Sequence, residues 1–158
     1  MRPNLFRIPA PVPGVLSTMP RPRGGDWLDD ELAALCDVDV RVLVCLLTTN
    51  EMRELDLSGE ANAAFRAGLR FFHHPIVDLG VPERAPVMAL VDQLVLRLQA
   101  SEHVVVHCRA GIGRSSLVAG AVLVRLGIAP DAAWETISAA RGVEVPETDE
   151  QRDWLSHS

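Results

Sequence analysis

The chain has 158 residues, of which 48% are hydrophobic, and its formal net charge is −6. This length and apolar content predict one compact domain with a sizeable core. The acidic balance argues against nucleic acid as a partner, because a nucleic-acid-binding surface must be basic to neutralise phosphates. The longest apolar run, Leu117 to Val124, is shorter than the roughly 20 residues of a membrane span, so no span is predicted.

Cysteine and histidine usage bounds the compartment and the cofactors. Three cysteines without Cys-x-x-Cys spacing argue against a disulfide framework and favour a reducing environment. The first thirteen residues hold two arginines and four prolines but no continuous apolar stretch. They do not resemble a secretory signal, and we expect a cytoplasmic protein. The five histidines show no metal-ligand spacing, so neither a metal nor another cofactor is predicted. The sequence leaves the oligomeric state open.

The first half of the chain alternates predicted helices and strands. We expect residues 1–13 to form an extended, proline-rich lead and residues 14–158 to form the domain, with Val12 to Leu16 a possible edge strand. Valine-rich stretches favour strands further along. The predicted elements are a short helix at Asp29–Cys36, a strand at Arg41–Leu46, helical pieces at Glu51–Leu57 and Ala61–Gly68, and a strand at Arg70–Ile76.

The second half continues the alternation. Apolar residues at helical spacing from Val87 to Leu98 predict an amphipathic helix, and Val104 to Val106 form a short buried strand. The next helix starts at Ser115 and is apolar nearly all round, so we expect it to cross the core. Pro130 opens another helix that ends at Gly142, and a last helix covers Glu147–Leu155. The pattern predicts a single-domain α/β fold, with a central, mostly parallel sheet flanked by helices.

The segment from His107 to Ser116 is the strongest candidate for a functional site. Cys108 and Arg114 bracket a loop that contains Gly111 and Gly113, between the valine strand and the apolar helix. Such a loop presents backbone N–H groups at a helix N-terminus, where the helix dipole favours an anion. Glycine allows a tight, close approach of the backbone, and the planar Arg114 side chain can grip two phosphate oxygens. The loop is therefore predicted to hold a phosphate.

The same electrostatic field acts on Cys108. A helix N-terminus and a nearby cation stabilise a thiolate, which is the nucleophilic form of cysteine. Ser115 either donates a hydrogen bond to this sulfur or satisfies backbone N–H groups as an ordinary N-terminal helix serine. We expect His107 to orient the loop rather than to perform acid–base chemistry.

The chain resembles the cysteine-dependent protein tyrosine and dual-specificity phosphatases at these residues, whose signature is His-Cys-x5-Arg-Ser/Thr. Three further segments are similar to the cyclin-kinase-associated branch of that family. Residues His73 to Pro82 resemble its general-acid loop, and Val42 to Met52 resemble an early strand and the turn that follows. Arg141-Gly142, followed by Thr148-x-x-Gln151, resembles a segment near its C-terminus. The resemblance covers about residues 14–155.

This resemblance implies a role for each matched residue. Cys108 would be the nucleophile that forms a phosphocysteine, and Asp78 would protonate the leaving oxygen and later deprotonate water. The phosphate would be held by Arg114 and by the N–H groups of the loop, from Arg109, Ala110, Gly111, Ile112, Gly113 and Arg114. From the residues alone, Asp78 in Asp-Leu-Gly is equally typical of an ordinary turn. Glu83 is the alternative acid in the same loop.

The sequence departs from the family at its C-terminal segment. Tyrosine-specific members have a water-positioning glutamine where this chain has Glu147, and we expect Gln151 to lie on a helix surface. The chain contains no tyrosine, so the aromatic phosphotyrosine-recognition loop of the tyrosine-specific members has no counterpart in it. This argues against strict tyrosine specificity but is compatible with phosphotyrosine as a substrate. Cys36 and Cys45 lie in apolar stretches and are predicted core residues, although a disulfide between one of them and an oxidised Cys108 is an alternative.

The sequence therefore predicts a phosphomonoester hydrolase that acts through a phosphocysteine on a phosphorylated protein or peptide, with tyrosine or dual specificity. Phosphoinositides or small phosphate esters are the alternative substrates. They are less favoured because Arg109 is the only basic residue between Cys108 and Arg114, and Ile112 is apolar. A non-catalytic phosphate-binding module and a sulfur- or arsenate-processing enzyme are the remaining alternatives.

Overall fold

A five-stranded sheet forms the centre of the protein in the computed structural model, which describes residues 2–157. The strands are β1 (Phe6–Ile8), β2 (Val15–Met19), β3 (Val40–Cys45), β4 (Arg70–His73) and β5 (His103–His107). Their order across the sheet is β1-β2-β5-β3-β4. Strands β2, β5, β3 and β4 run parallel, and β1 pairs antiparallel with β2. The mostly parallel α/β sheet predicted from the sequence is confirmed.

Helices connect the strands and cover both faces of the sheet. They are α1 (Leu28–Asp37), α2 (Thr49–Glu54), α3 (Glu60–Ala67), α4 (Arg84–Gln99), α5 (Arg114–Arg125), α6 (Pro130–Arg141) and α7 (Asp149–Ser156). Local signals define several helix ends. Thr48 and Glu51 form a reciprocal capping box at the start of α2. Pro130 occupies the first turn of α6, and Gly142 ends it in the left-handed conformation.

Two apolar cores lie on opposite faces of the sheet. Val42 and Val44 of β3 face one core together with residues of α4, α5, α6 and α7. Leu43 and Cys45 face the other core together with residues of α1 and α3. Successive strand residues point to opposite faces, so a valine-rich strand that is apolar on both sides is buried on both sides.

The structure corrects several of the predicted boundaries; for example, α2 ends at Glu54, three residues before the predicted end at Leu57. The edge strand predicted at Val12–Leu16 is wrong, because β2 starts at Val15 and lies between β1 and β5. The edge is instead formed by β1, which belongs to the predicted N-terminal lead; the division of the chain at residue 13 itself stays a prediction. Strand β4 ends at His73, three residues before the predicted end at Ile76. No helix among residues 2–157 is both long and apolar enough to cross a membrane.

Candidate active site

The predicted phosphate loop lies at the carboxyl end of the central strand. Strand β5 ends at His107 and α5 begins at Arg114, so residues 108–113 form the connection. Gly111 has a φ of +75°, and a Cβ at this position would lie 2.8 Å from the carbonyl carbon of Met19. Only glycine combines this conformation with this close approach to β2. The loop is thus curled against the end of the neighbouring strand.

The backbone N–H groups and the carbonyl groups of the loop differ in their hydrogen-bond partners. Along residues 2–157, the N–H groups of Arg109 to Gly113 have no protein acceptor. The carbonyl oxygens accept hydrogen bonds from outside: that of Arg109 from the backbone N–H of Arg21 at 3.1 Å, and those of Ala110 and Gly111 from the side chain of Arg141. Unpaired amides at the start of α5 make an anion-binding cradle.

Cys108 lies at the base of this cradle. It is 3% exposed, and its Sγ lies 3.3 Å from Oγ of the fully buried Ser115. The Ser115 hydroxyl is therefore within hydrogen-bonding range of the sulfur, as one of the two sequence-based alternatives requires.

Arg114 is held in the site by a carboxylate that the sequence analysis did not single out. Its two terminal nitrogens contact the two oxygens of Glu51 at 2.7 and 2.9 Å, and Nη1 also donates to the carbonyl of Ile76 at 2.7 Å. Hydrogen bonds from Arg114 lower the pKa of Glu51 from 4.5 to about 2. Burial disfavours the charged guanidinium, but its hydrogen bonds to Glu51 and the nearby charges of Cys108, Glu51 and Asp78 together outweigh burial and raise the pKa of Arg114. This bidentate pair fixes the plane of the guanidinium.

Asp78 is the carboxylate of the acid loop that reaches the site. Its Oδ1 lies 3.3 Å from Nη2 of Arg114, and its side chain is 54% exposed. The backbone forms a tight turn in which the N–H of Gly80 donates to the carbonyl of Val77, and Leu79 adopts a positive φ of 63°. Glu83, the alternative acid, is exposed at the residue before α4. Of the two carboxylates, Asp78 is the one at Arg114.

A buried ion pair supports the loop from the opposite face of the sheet. Nε2 of His107 lies 2.6 Å from Oε2 of Glu60, and both side chains are fully buried. Nδ1 lies 3.0 Å from the carbonyl oxygen of Cys108, to which it can donate. Burial opposes protonation, but the Glu60 carboxylate outweighs burial and raises the pKa of His107 well above 6.5. A protonated His107 can therefore donate one hydrogen bond to Glu60 and one to the backbone carbonyl of Cys108.

Cys45 joins His107 and Glu60 in a compact group. One ligand-type atom from each of the three residues lies within 4.8 Å of the others. The 2.6 Å separation of the His107 and Glu60 atoms is typical of a charged hydrogen bond. Two ligands of one ion would lie further apart, and structural zinc sites have four ligands rather than three. We assign the group to hydrogen bonding.

Neither of the remaining cysteines belongs to the core that contains Cys108. Cys45 is buried in the core on the other face of the sheet from Cys108, and Cys36 packs against that same core. Either thiol therefore faces the opposite side of the sheet from the Cys108 sulfur in this conformation, and the disulfide alternative stays a prediction. Cys45 is the buried core residue that the sequence predicts, whereas Cys36 is half-buried.

The expectation for Gln151 is also wrong. Gln151 is fully buried rather than on a helix surface, because Thr148 caps α7 and the first turn faces the site. Its Nε2 donates to the carbonyl of Gly80 in the acid loop at 3.2 Å, and its Oε1 accepts from the backbone N–H of Glu147. Trp154 adds a hydrogen bond to the carbonyl of Pro82 at 3.1 Å. Helix α7 thus holds the acid loop.

Glu147 lies against the phosphate loop. Its carboxylate lies at the position that a Cβ on Gly113 would approach, and the Gln151 amide contacts the same position. These two side chains are the polar groups of the α7 segment that border the cradle.

The fold is that of the protein tyrosine and dual-specificity phosphatases. A crystal structure of kinase associated phosphatase, with a serine in place of its catalytic-site cysteine, matches with a TM-score of 0.90 and 21% identity, over 98% of this chain and 93% of that one. The active form of Tk-PTP matches with a TM-score of 0.76 and 23% identity, over 90% of this chain and 91% of that one.

Sequence comparison identifies the family. The chain belongs to the family described as "Polymorphic toxin system, DSP-PTPase phosphatase", whose model matches residues 17–128. Cyclin-dependent kinase inhibitor 3 from Sus scrofa and the protein of the same name from Homo sapiens are each 28% identical over 129 residues. Each match covers 80% of this chain but only 60% of the relative's length. The resemblance to the cyclin-kinase-associated branch is confirmed.

Proposed function

We propose that this protein is a cysteine-dependent phosphatase that hydrolyses phosphomonoesters through a phosphocysteine, with tyrosine or dual specificity. The observation that carries the proposal is the meeting of three side chains at one loop. Cys108 lies at the base of the cradle, Arg114 at its end, and Asp78 lies 3.3 Å from Arg114 although it comes from a separate loop. A nucleophile, a cation and an acid are the groups that phosphoryl transfer from an ester needs.

In the first step the phosphoryl group lies in the cradle, where the loop N–H groups and Arg114 neutralise its oxygens. The Cys108 thiolate attacks phosphorus as the bond from phosphorus to the ester oxygen breaks. Asp78 acts in this step in its protonated form and donates that proton to the ester oxygen, which leaves as an alcohol or phenol. A positioned acid contributes about 10²–10⁴-fold to such a step. Glu51 fixes the position and plane of the Arg114 guanidinium through its two hydrogen bonds of 2.7 and 2.9 Å.

In the second step a water molecule attacks the phosphocysteine. Asp78, now a carboxylate, accepts a proton from the water, and the sulfur–phosphorus bond breaks. The Ser115 hydroxyl, 3.3 Å from the sulfur, donates to the departing thiolate. Glu147 and Gln151 border the loop at Gly113, and we propose that these two side chains position the attacking water.

We propose that the substrate is a phosphorylated protein or peptide. The two curated relatives are named as inhibitors of a protein kinase, which favours a protein substrate here. Two exposed apolar residues, Val77 and Leu79, flank Asp78 and offer contacts to a peptide. Three unpaired cysteines support a cytoplasmic location, and the net charge of −6 supports the absence of a nucleic-acid partner.

The test compares hydrolysis of phosphotyrosine and phosphothreonine peptides with hydrolysis of phosphoinositide vesicles, by the wild-type protein and by Cys108→Ser. We expect peptide turnover by the wild type and none by C108S, which keeps its affinity for orthophosphate. Turnover by C108S would contradict the mechanism. Hydrolysis of phosphoinositides alone would favour the lipid alternative, and orthophosphate binding without any turnover would favour a binding module.

A further inference from the structure

Three consecutive carbonyl groups of the phosphate loop are bonded from outside the loop. Those of Ala110 and Gly111 accept from one side chain, Arg141 at the end of α6: Nη2 donates to Ala110 at 3.3 Å and Nε donates to Gly111 at 3.1 Å. The third, that of Arg109, accepts from the backbone N–H of Arg21. One guanidinium therefore fixes two adjacent peptide groups of the cradle.

The orientation of these carbonyls decides where the amides point. In a trans peptide the C=O of one residue and the N–H of the next point in opposite directions. With the carbonyls of Ala110 and Gly111 turned outward to Arg141, the N–H groups of Gly111 and Ile112 face the cradle. Because glycine tolerates many backbone conformations, the peptides on either side of Gly111 are the ones most able to turn over.

The guanidinium of Arg141 is itself held by the N-terminal strand. It lies 4.1 Å from the centre of the Phe6 ring, a cation–π distance. Phe6 belongs to β1 and pairs with Thr18 of β2, one residue before the Met19 backbone against which Gly111 packs. The strand that supports the arginine thus belongs to the same pair that contacts the loop.

We propose that Arg141, seated on Phe6, is a positioning residue that holds the phosphate loop with the Gly111 and Ile112 amides facing the anion. The effect of Arg141 on catalysis rests on the proposed function, but its effect on anion binding does not. Without Arg141, a turned peptide would aim a carbonyl oxygen at the phosphate. Both anion affinity and turnover would then fall.

The test measures three properties of Arg141→Met, Arg141→Lys and Phe6→Leu. These are the dissociation constant for orthophosphate by calorimetry, hydrogen exchange of the loop amides, and kcat and KM for an aryl phosphate. For R141M we expect about tenfold weaker orthophosphate binding, faster loop exchange and a loss of about 10²-fold in kcat/KM, the order of effect of a misplacement of about 1 Å. R141K keeps a single donor group and should lie between R141M and the wild type. For F6L we expect orthophosphate affinity and kcat/KM each to fall about two- to fivefold, as expected for the loss of one cation–π contact.

Arg125→Met is the matched control, because Arg125 lies at the far end of α5 and pairs with Asp92 at 3.0 Å. It should match the wild type in all three measurements. Wild-type orthophosphate affinity and loop exchange in R141M would overturn the inference. If R141M does not fold, R141K decides in its place: an unchanged R141K would overturn the inference. The wild type could bind orthophosphate without turning over any ester while R141M binds it more weakly. That result would reject the proposed function but support Arg141 as a positioning residue.

Discussion

Oδ1 of Asp78 lies 3.3 Å from Nη2 of Arg114, so the acid loop and the phosphate loop meet through one ion pair. The same guanidinium donates to the carbonyl of Ile76, two residues before Asp78. The Arg114 side chain therefore contacts two groups of the acid loop: a backbone carbonyl and the carboxylate of Asp78. This geometry brings the Asp78 carboxylate to the phosphate loop before any substrate is bound, and it leads to the first prediction.

Asp78→Asn should lower kcat by about 10²–10⁴-fold, the usual contribution of a positioned general acid. The loss should be larger for an alkyl phosphate than for 4-nitrophenyl phosphate, because the poorer leaving group depends more on the proton. Steady-state kinetics with both substrates measures this difference. Glu83→Gln is the control and should keep wild-type kcat. A normal kcat for D78N, or a loss in E83Q, would reject Asp78 as the acid.

Glu51→Gln should remove the charge that fixes Arg114. We expect kcat/KM to fall about tenfold because the guanidinium loses its register, and stability at neutral pH to fall by about 2 kcal/mol because hydrogen bonds to a charged group are lost. Since the folded-state pKa of Glu51 is lowered from 4.5 to about 2, its contribution is complete above about pH 4.5 and is lost as the pH falls towards 2. Urea unfolding of both proteins across this range should show the stability gap narrowing with acid. A gap that does not change with pH would contradict the pairing.

Glu60→Gln should lower the pKa of His107, because burial then acts without an opposing carboxylate. In the wild type, Glu60 raises the pKa of His107 well above 6.5. The stabilisation from this pair is therefore complete below pH 6.5. It is lost only as the pH rises through the raised pKa of His107. Removing one partner of a buried pair costs about 3–5 kcal/mol. NMR titration of the His107 ring checks the charge directly. Titration of the wild-type ring near pH 6.5 would show that the pair is not charged as described.

Gln151→Ala should loosen the acid loop without disturbing anion binding. The lost hydrogen bond to the Gly80 carbonyl would let Asp78 move, so we expect kcat to fall about tenfold while orthophosphate affinity stays at the wild-type value. Hydrogen exchange of residues 77–83 should become faster. Glu150→Ala on the exposed side of the same helix is the matched control. Weaker orthophosphate binding with unchanged kcat would mean that Gln151 supports the phosphate loop instead.

The parts of this site that the sequence predicts are local. Cys108 and Arg114 lie in one short loop, and the change from a valine strand to a glycine-containing turn and an apolar helix is enough to indicate an anion cradle. The outer elements were also predictable, because Pro130 and Gly142 mark the ends of α6 in the sequence itself. Asp78 required the resemblance to a known family, since its own surroundings are those of any tight turn.

The unpredicted parts are contacts between distant segments. Glu51 reaches Arg114 only because β3 lies beside β5, and the order of strands is not written in any single segment. The Thr48-x-x-Glu51 pattern could have indicated the start of α2, but not the arginine that Glu51 binds. The burial of Gln151 cannot be predicted from the sequence, because α7 is short and has few apolar residues. Its buried side is set by packing against the acid loop.

The proposed function depends on a covalent phosphocysteine at Cys108. The most direct measurement is mass spectrometry of Asp78→Asn after mixing with an aryl phosphate and rapid acid quenching, with Cys108→Ser as the control. D78N is suited to this because loss of Asp78 as a base slows hydrolysis of the intermediate. We expect one added phosphoryl group on the peptide that contains Cys108, and none in C108S. Release of phosphate with no adduct at Cys108, or an adduct on another residue, would contradict it.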